Sequence, residues 1–158
     1  MPNVFRSISD EEFAQIVDAI PLIAILVGAS DGHFNKIEKE WAKKIVHIRT
    51  FAHDIDLKPI YQDLDPVFEE KITRALNELP KNIEARNKII SDKLSKLNQI
   101  LAKLHIRIAS GIYEGYLDFA EQVAKASGGF LRMFSVSDEE SEWLGLPMID
   151  PIFYMEEE

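Results

Sequence analysis

The stretch ASDGHFNKIEKEW, residues 29–41, holds a small-residue turn (Asp31-Gly32), a capping residue (Asn35) and the opening of an amphipathic run, and the same order returns near the other end of the chain. There ASGG (126–129) is followed, after five extra residues, by SDEESEW (137–143). Asn35 matches Ser137, Glu38 matches Glu140, Glu40 matches Glu142 and Trp41 matches Trp143. In each copy a short polar side chain is placed to accept from the orphan amides of a first helical turn, while a Glu three residues on reaches back. The recurrence predicts an all-α fold: a compact helical bundle of about six to seven helices in two pseudo-symmetric units.

Working outward, Ser9 and Glu12 repeat the capping-box spacing, and Phe13, Ile16, Val17 and Ile20 follow at helical intervals, predicting a first helix over 9–20. Pro21 suits the first position of a new helix, so PLIAILVGAS reads as a second one, apolar nearly all round and therefore central. The third begins at Asn35, with Ile37, Trp41, Ile45 and Ile48 as its core stripe and Ala42 and Val46 beside it. Pro59 and several Asp residues leave room for only a short helix over 51–65. Asp65-Pro66 then opens a helix that stops before Pro80. No proline falls between 81 and 127, and the stripe from Ile83 through Ile90, Leu94, Leu101 and Ile108 predicts one long helix. Gly111 and Gly115 each cost roughly 1 kcal/mol relative to alanine in a helix interior, so a kink or break is expected near 111–117. A turn at Gly128-Gly129, a last helix over 137–144 and an extended, partly frayed end complete the reading.

With 158 residues and 46% hydrophobic content, the chain reads as one domain, 1–158, with a core over about 9–146 and an acidic tail over 147–158. There is no Cys, which excludes disulfides and thiolate chemistry and fits a cytoplasmic home. The longest apolar run, 19–29, is about half of what would span a bilayer, so direct membrane insertion is not expected. The net charge of −9 is uneven: residues 133–158 hold eight acids and no Lys or Arg, whereas 71–107 hold nine Lys or Arg against three acids. Such a dipolar surface suits charged protein partners. Arg86, Lys93, Lys96, Lys103 and Arg107 fall in one sector of the expected long helix, but no aromatics interleave them and the chain is acidic, so nucleic acid is not the expected partner.

Catalytic motifs are missing: there is no phosphate-cradling glycine loop, no GxSxG, no HExxH and no Glu-x-x-His pair. His33, His47, His53 and His105 share no ligand spacing. The remaining candidate is Asp31 with Glu38, two carboxylates near one helix N-terminus, whose oxygens suit a hard divalent cation such as Ca²⁺ or Mg²⁺. Two carboxylates are too few alone, so backbone carbonyls or acids of the other unit would have to help. The alternative is that Asp31 makes the turn and Glu38 completes the cap.

The pattern Ala-Ser-Asp-Gly-x-Phe-Asn-x-x-Glu at 29–38, between an apolar helix and an amphipathic one, resembles the Asp-Gly-x-hydrophobic-Ser-x-x-Glu signature of the tellurite-resistance TerB family. The resemblance implies a non-enzymatic, all-helical bacterial cytoplasmic protein with a role in stress response. It further implies metal binding through acids, here Asp31 and Glu38, and association with membrane-bound complexes. In the second copy Glu140 matches, but Gly128 stands where the acid would be, so the resemblance implies a divergent member at most and no second metal site. Two other classes stay open: a purely structural module docking through its acidic tail or basic stripe, and an enzyme of unrecognised type.

Overall fold

The computed structural model describes residues 3–28, 34–132 and 143–155, with only the helical backbone for 127–132. Among these residues the elements are all helical, in the order α1 Asp10–Gly28, α2 Lys36–Arg49, α3 Lys58–Leu64, α4 Phe68–Glu78, α5 Ile83–Ser95, α6 Leu97–Leu101 and α7 Ile106–Arg132. Five of them have eleven residues or more and make the bundle, slightly fewer than the six to seven expected; α3 and α6 are short connecting helices. Apolar side chains from all seven close on one core. None of these helices is long and apolar enough to cross a membrane.

At the centre lies α1, packed against α7, α4, α5 and α3. Its capping box closes as the spacing predicts: the Glu12 amide donates to Ser9 Oγ at 3.1 Å and the Ser9 amide to Glu12 Oε1 at 3.0 Å. The expected division at Pro21 does not occur. Residues 10–28 form one helix with Pro21 inside it, buried from end to end of its apolar half. An internal proline leaves one carbonyl without its amide and costs roughly 3 kcal/mol. Burial of nearly every side chain from Ala19 to Gly28 outweighs that cost. The hydroxyl of Tyr116 also donates to the Ile16 carbonyl at 2.6 Å, in the turn just before the proline.

The long helix expected over 81–127 is divided, and not where its glycines stand. The chain turns at Lys96 and again over 102–105, where 3-10-type bonds run from the Lys103 amide to the Ile100 carbonyl and from the Leu104 amide to the Leu101 carbonyl. Ser7 Oγ donates to the carbonyl of Lys103 at 2.7 Å, and His105 Nδ1 accepts the Arg107 amide at 3.1 Å to start α7. Leu101, Leu104 and Ile108 remain buried across the turn, so the apolar period survives a break in the backbone.

Through 111–117, by contrast, α7 is unbroken, and it continues past the expected turn at Gly128-Gly129 to Arg132. Gly111 and Gly115 serve close packing: a Cβ at Gly111 would stand 2.9 Å from Leu57 Cδ1, and one at Gly115 would stand 3.4 Å from the Tyr61 hydroxyl. The C-terminal stretch, expected to be extended and partly frayed from 147, is held at its start. Asn98 clamps it from both sides, donating to the Met148 carbonyl at 3.0 Å and accepting the Asp150 amide at 2.8 Å. Leu146 and Ile149 are buried, and Leu146 holds φ 44°, a left-handed strain of about 1–2 kcal/mol that its burial offsets. Asp31 and Gly32 of the first turn, and Ser137, Glu140 and Glu142 of the matching copy, lie outside the described residues.

Candidate functional site

Of the two carboxylates singled out in the sequence, Glu38 is described and Asp31 is not. Asn35 caps α2 as expected, its Oδ1 accepting the Glu38 amide at 2.9 Å, and the Asn35 side-chain amide donates back to Glu38 Oε1. The box therefore closes side chain to side chain instead of through the Asn35 backbone amide. Glu38 is only 2% exposed. Its Oε2 lies where a Cβ on Gly28 would meet it at 3.2 Å, with Phe34 and Val123 crowding the same point. Among the described residues no group of three or more His, Asp or Glu side chains is placed to hold a metal ion.

The larger departure concerns which face of α2 is buried. The core takes Glu38, Ala42, Ile45, Val46 and Arg49, and leaves Ile37 at 73% and Trp41 at 42% exposed, with Ile48 also outside. Three of the four residues of the expected stripe thus face outward, and only Ile45 is buried. The apolar residues of α2 span an arc wider than the roughly 100° that one packing face needs, and the bundle covers only one edge of it. Phe51, just past the helix, extends the uncovered edge and meets the His47 ring edge-on at 6.0 Å. Beside this face a groove of about 840 Å³ runs between α2 and the Asp65-Pro66 bend. Lys39 and Lys43 are drawn to Glu69, and His47 Nδ1 lies 2.9 Å from Asp65, whereas the Lys44 ammonium sits 5.8 Å from the Trp41 ring centroid.

What fixes α2 in this register is Arg49, 6% exposed. Its guanidinium donates to the Tyr61 hydroxyl at 2.7 Å, to the Gly115 carbonyl at 3.0 Å and to Asp118 at 2.7 Å, and it lies against the faces of Tyr61 and Phe119. One side chain so ties α2 to α3 and α7. His53 packs edge-on against Tyr61 at 5.0 Å. Burial, and then the nearby Arg49 charge, hold the His53 pKa below its ordinary value, while Asp54 and Asp118 oppose the shift. Burial pushes the Tyr61 hydroxyl the other way, above its usual range. A shallow groove of about 530 Å³ passes this cluster, but the Arg49 donors are already directed at protein acceptors, so the arrangement is a lock between helices.

The basic stripe does not form. The turn at 102–105 divides it, Arg86 is buried against Asn87, Lys103 pairs with Glu12 at 2.7 Å, and Arg107 pairs with Asp56 at 2.7 Å. Lys103 in turn holds the Glu12 carboxyl below its usual pKa. Three of the five cations are thereby used inside the molecule. Of the expected acidic tail, the part through Asp150 is built into the fold, Phe153 and Met155 are exposed beyond it, and 156–158 lie outside the described residues. His47, His53 and His105 sit at separate places with separate partners, and His33 is outside the described residues. The exposed α2 face escaped the sequence reading because burying Glu38 and Arg49 in place of Ile37 and Trp41 runs against residue type; the width of the apolar arc was the one available signal. No family model, no curated protein and no solved structure matches this chain.

Proposed function

We propose that this chain is a non-enzymatic, cytoplasmic interaction module that docks a protein partner on the outward face of α2. The observation that carries the reading is the exposure of Ile37, Trp41 and Ile48 on a helix whose core-facing side buries a Glu and an Arg. Apolar side chains left in line beside a groove are the anchors of helix-in-groove recognition, and a buried aromatic is the usual centre of such contacts. The docking place differs from the acidic tail and basic stripe that the charge pattern pointed to: three of the stripe's five cations are engaged within the fold, whereas the α2 face is apolar and exposed. The test is a photoreactive residue placed at Ile37 in the full chain and activated in cells. A discrete, saturable adduct that disappears with Trp41→Glu, at unchanged melting temperature, supports the reading. Labelling no stronger than from the same probe at Glu84 overturns it.

A second reading keeps the TerB resemblance of 29–38 and a stress-associated role, with Ca²⁺ or Mg²⁺ bound by Asp31 and Glu38. In its favour, the Glu38 carboxylate is buried next to Gly28, three residues before Asp31. A cation-dependent rise in melting temperature that vanishes in Asp31→Asn plus Glu38→Gln would support it; a native chain whose melting is indifferent to both cations would end it.

A further inference from the structure

Resting on the docking reading of α2, we infer that the occupant of this face is a second copy of the same chain, its α2 laid antiparallel across a two-fold axis between residues 42 and 43. Ile37, Trp41, Lys44 and Ile48 follow one another at spacings of four, three and four, the a/d rhythm with which two helices hold a common seam. The spacing also reads the same in both directions. Antiparallel pairing about that axis sets Ile37 against Ile48 of the second copy and Trp41 against its Lys44, each contact occurring twice. A two-fold interface requires this kind of self-complementarity, in which residue i meets j and j meets i.

Charge agrees with the pairing. The one cation inside the seam, Lys44, already lies over Trp41 of its own helix at 5.8 Å. In the pair it reaches the Trp41 ring of the second copy, with the exposed Glu40 of that copy beside it. A parallel arrangement would stack the two Lys44 ammonium groups against each other. The helix is short, about 21 Å at 1.5 Å per residue, so the interface is small and the association weak, with a dissociation constant on the order of 10–100 µM.

Sedimentation equilibrium of the full chain from about 1 µM to about 1 mM, a range that brackets this affinity, reads the outcome. The weight-average mass should climb from the 18.1 kDa monomer toward twice that value. Trp41→Lys sets lysine against lysine and should weaken association by more than tenfold. The exchange Trp41→Lys with Lys44→Trp restores each unlike pair by symmetry and should return association to within a few-fold of the native chain. A native chain that stays monomeric throughout, or an exchange variant as monomeric as the single substitution at equal melting temperature, overturns the proposal. In the cross-linking test, an adduct of twice the chain mass agrees with it. An adduct with another protein, or one within the chain, rejects the second copy, and only the former leaves the docking reading standing.

Discussion

Replacing Arg49 by Ala removes three hydrogen bonds at once, yet their values differ. The Gly115 carbonyl keeps its place in the α7 ladder, and the Asp118 carboxylate, 57% exposed, regains water when its partner is lost. Tyr61 is buried, so its hydroxyl loses a donor that water does not readily replace, at about 1–3 kcal/mol. Truncating the arginine stem withdraws two methylenes from the interior at about 0.8 kcal/mol each. Against these stands the relief of no longer burying a guanidinium, about 2 kcal/mol here because its outer end reaches the half-exposed Asp118. The balance is a loss of about 1–2 kcal/mol, or a melting temperature lower by roughly 2–8 °C in a chain of this size. Asp118→Ala should cost less than about 1 kcal/mol, since the carboxylate end of the pair is 57% exposed and the guanidinium keeps its bonds to Tyr61 and Gly115. Urea unfolding followed by circular dichroism measures both. Equal losses from the two variants, or an Arg49→Ala loss below about 1 kcal/mol, would refute the view that the lock lies in the buried end of the arginine.

His53 supplies a pH dependence. Its folded-state pKa is depressed, chiefly by burial and then by Arg49. The unfolded chain therefore binds the proton more readily, and stability present above about pH 6.5 declines as pH falls through that value toward the folded pKa. Melting temperatures should drop over that window, and His53→Gln should flatten the drop; in Arg49→Ala the His53 resonance should titrate at higher pH than in the native chain. Two glycine substitutions should move in opposite directions. Gly28→Ala meets Phe34, Val123 and Glu38 at 2.8–3.2 Å and should cost about 1–3 kcal/mol, whereas Gly115→Ala, with its nearest neighbour at 3.4 Å, should be neutral or gain up to about 1 kcal/mol by helix propensity. Thermal unfolding of the two variants side by side checks both signs.

Local chemistry was legible where one residue decides. Ser9 with Glu12, and Asn35 before α2, announced their caps because capping depends only on a short polar side chain and its spacing. The apolar run after Ala19 announced a central helix for the same reason: no neighbour can change its composition. What failed required knowing a partner. Pro21 breaks a helix unless burial compensates, and the helices that bury α1 around it, α7 above all, lie far along the chain. Gly111 and Gly115 resemble breaks until Leu57 and Tyr61 are seen against them. The turn at 102–105 carries neither glycine nor proline, and its leucines keep helical spacing through it. As for the candidate site, Glu38 was found at a helix start, but the face that Ile37 and Trp41 present was assigned inward.

That inversion follows from how α2 is held. Turned by about one residue's rotation, roughly 100°, the helix would bury Ile37, Trp41 and Ile48, which on apolar area alone is the better arrangement. It would also pull the Arg49 donors from Tyr61, Gly115 and Asp118. That loss strands the buried Tyr61 hydroxyl, and a stranded polar group costs more than an exposed isoleucine. The register of α2 is therefore set by the polar lock at its C-terminal end, with the apolar residues before it taking whichever side is left. The same contact that specifies the fold keeps the seam facing outward. Loosening it should blur docking before it unfolds the chain, which makes Arg49→Ala, distant from the seam in chemistry though on the same helix, a test of the surface as well as of the lock.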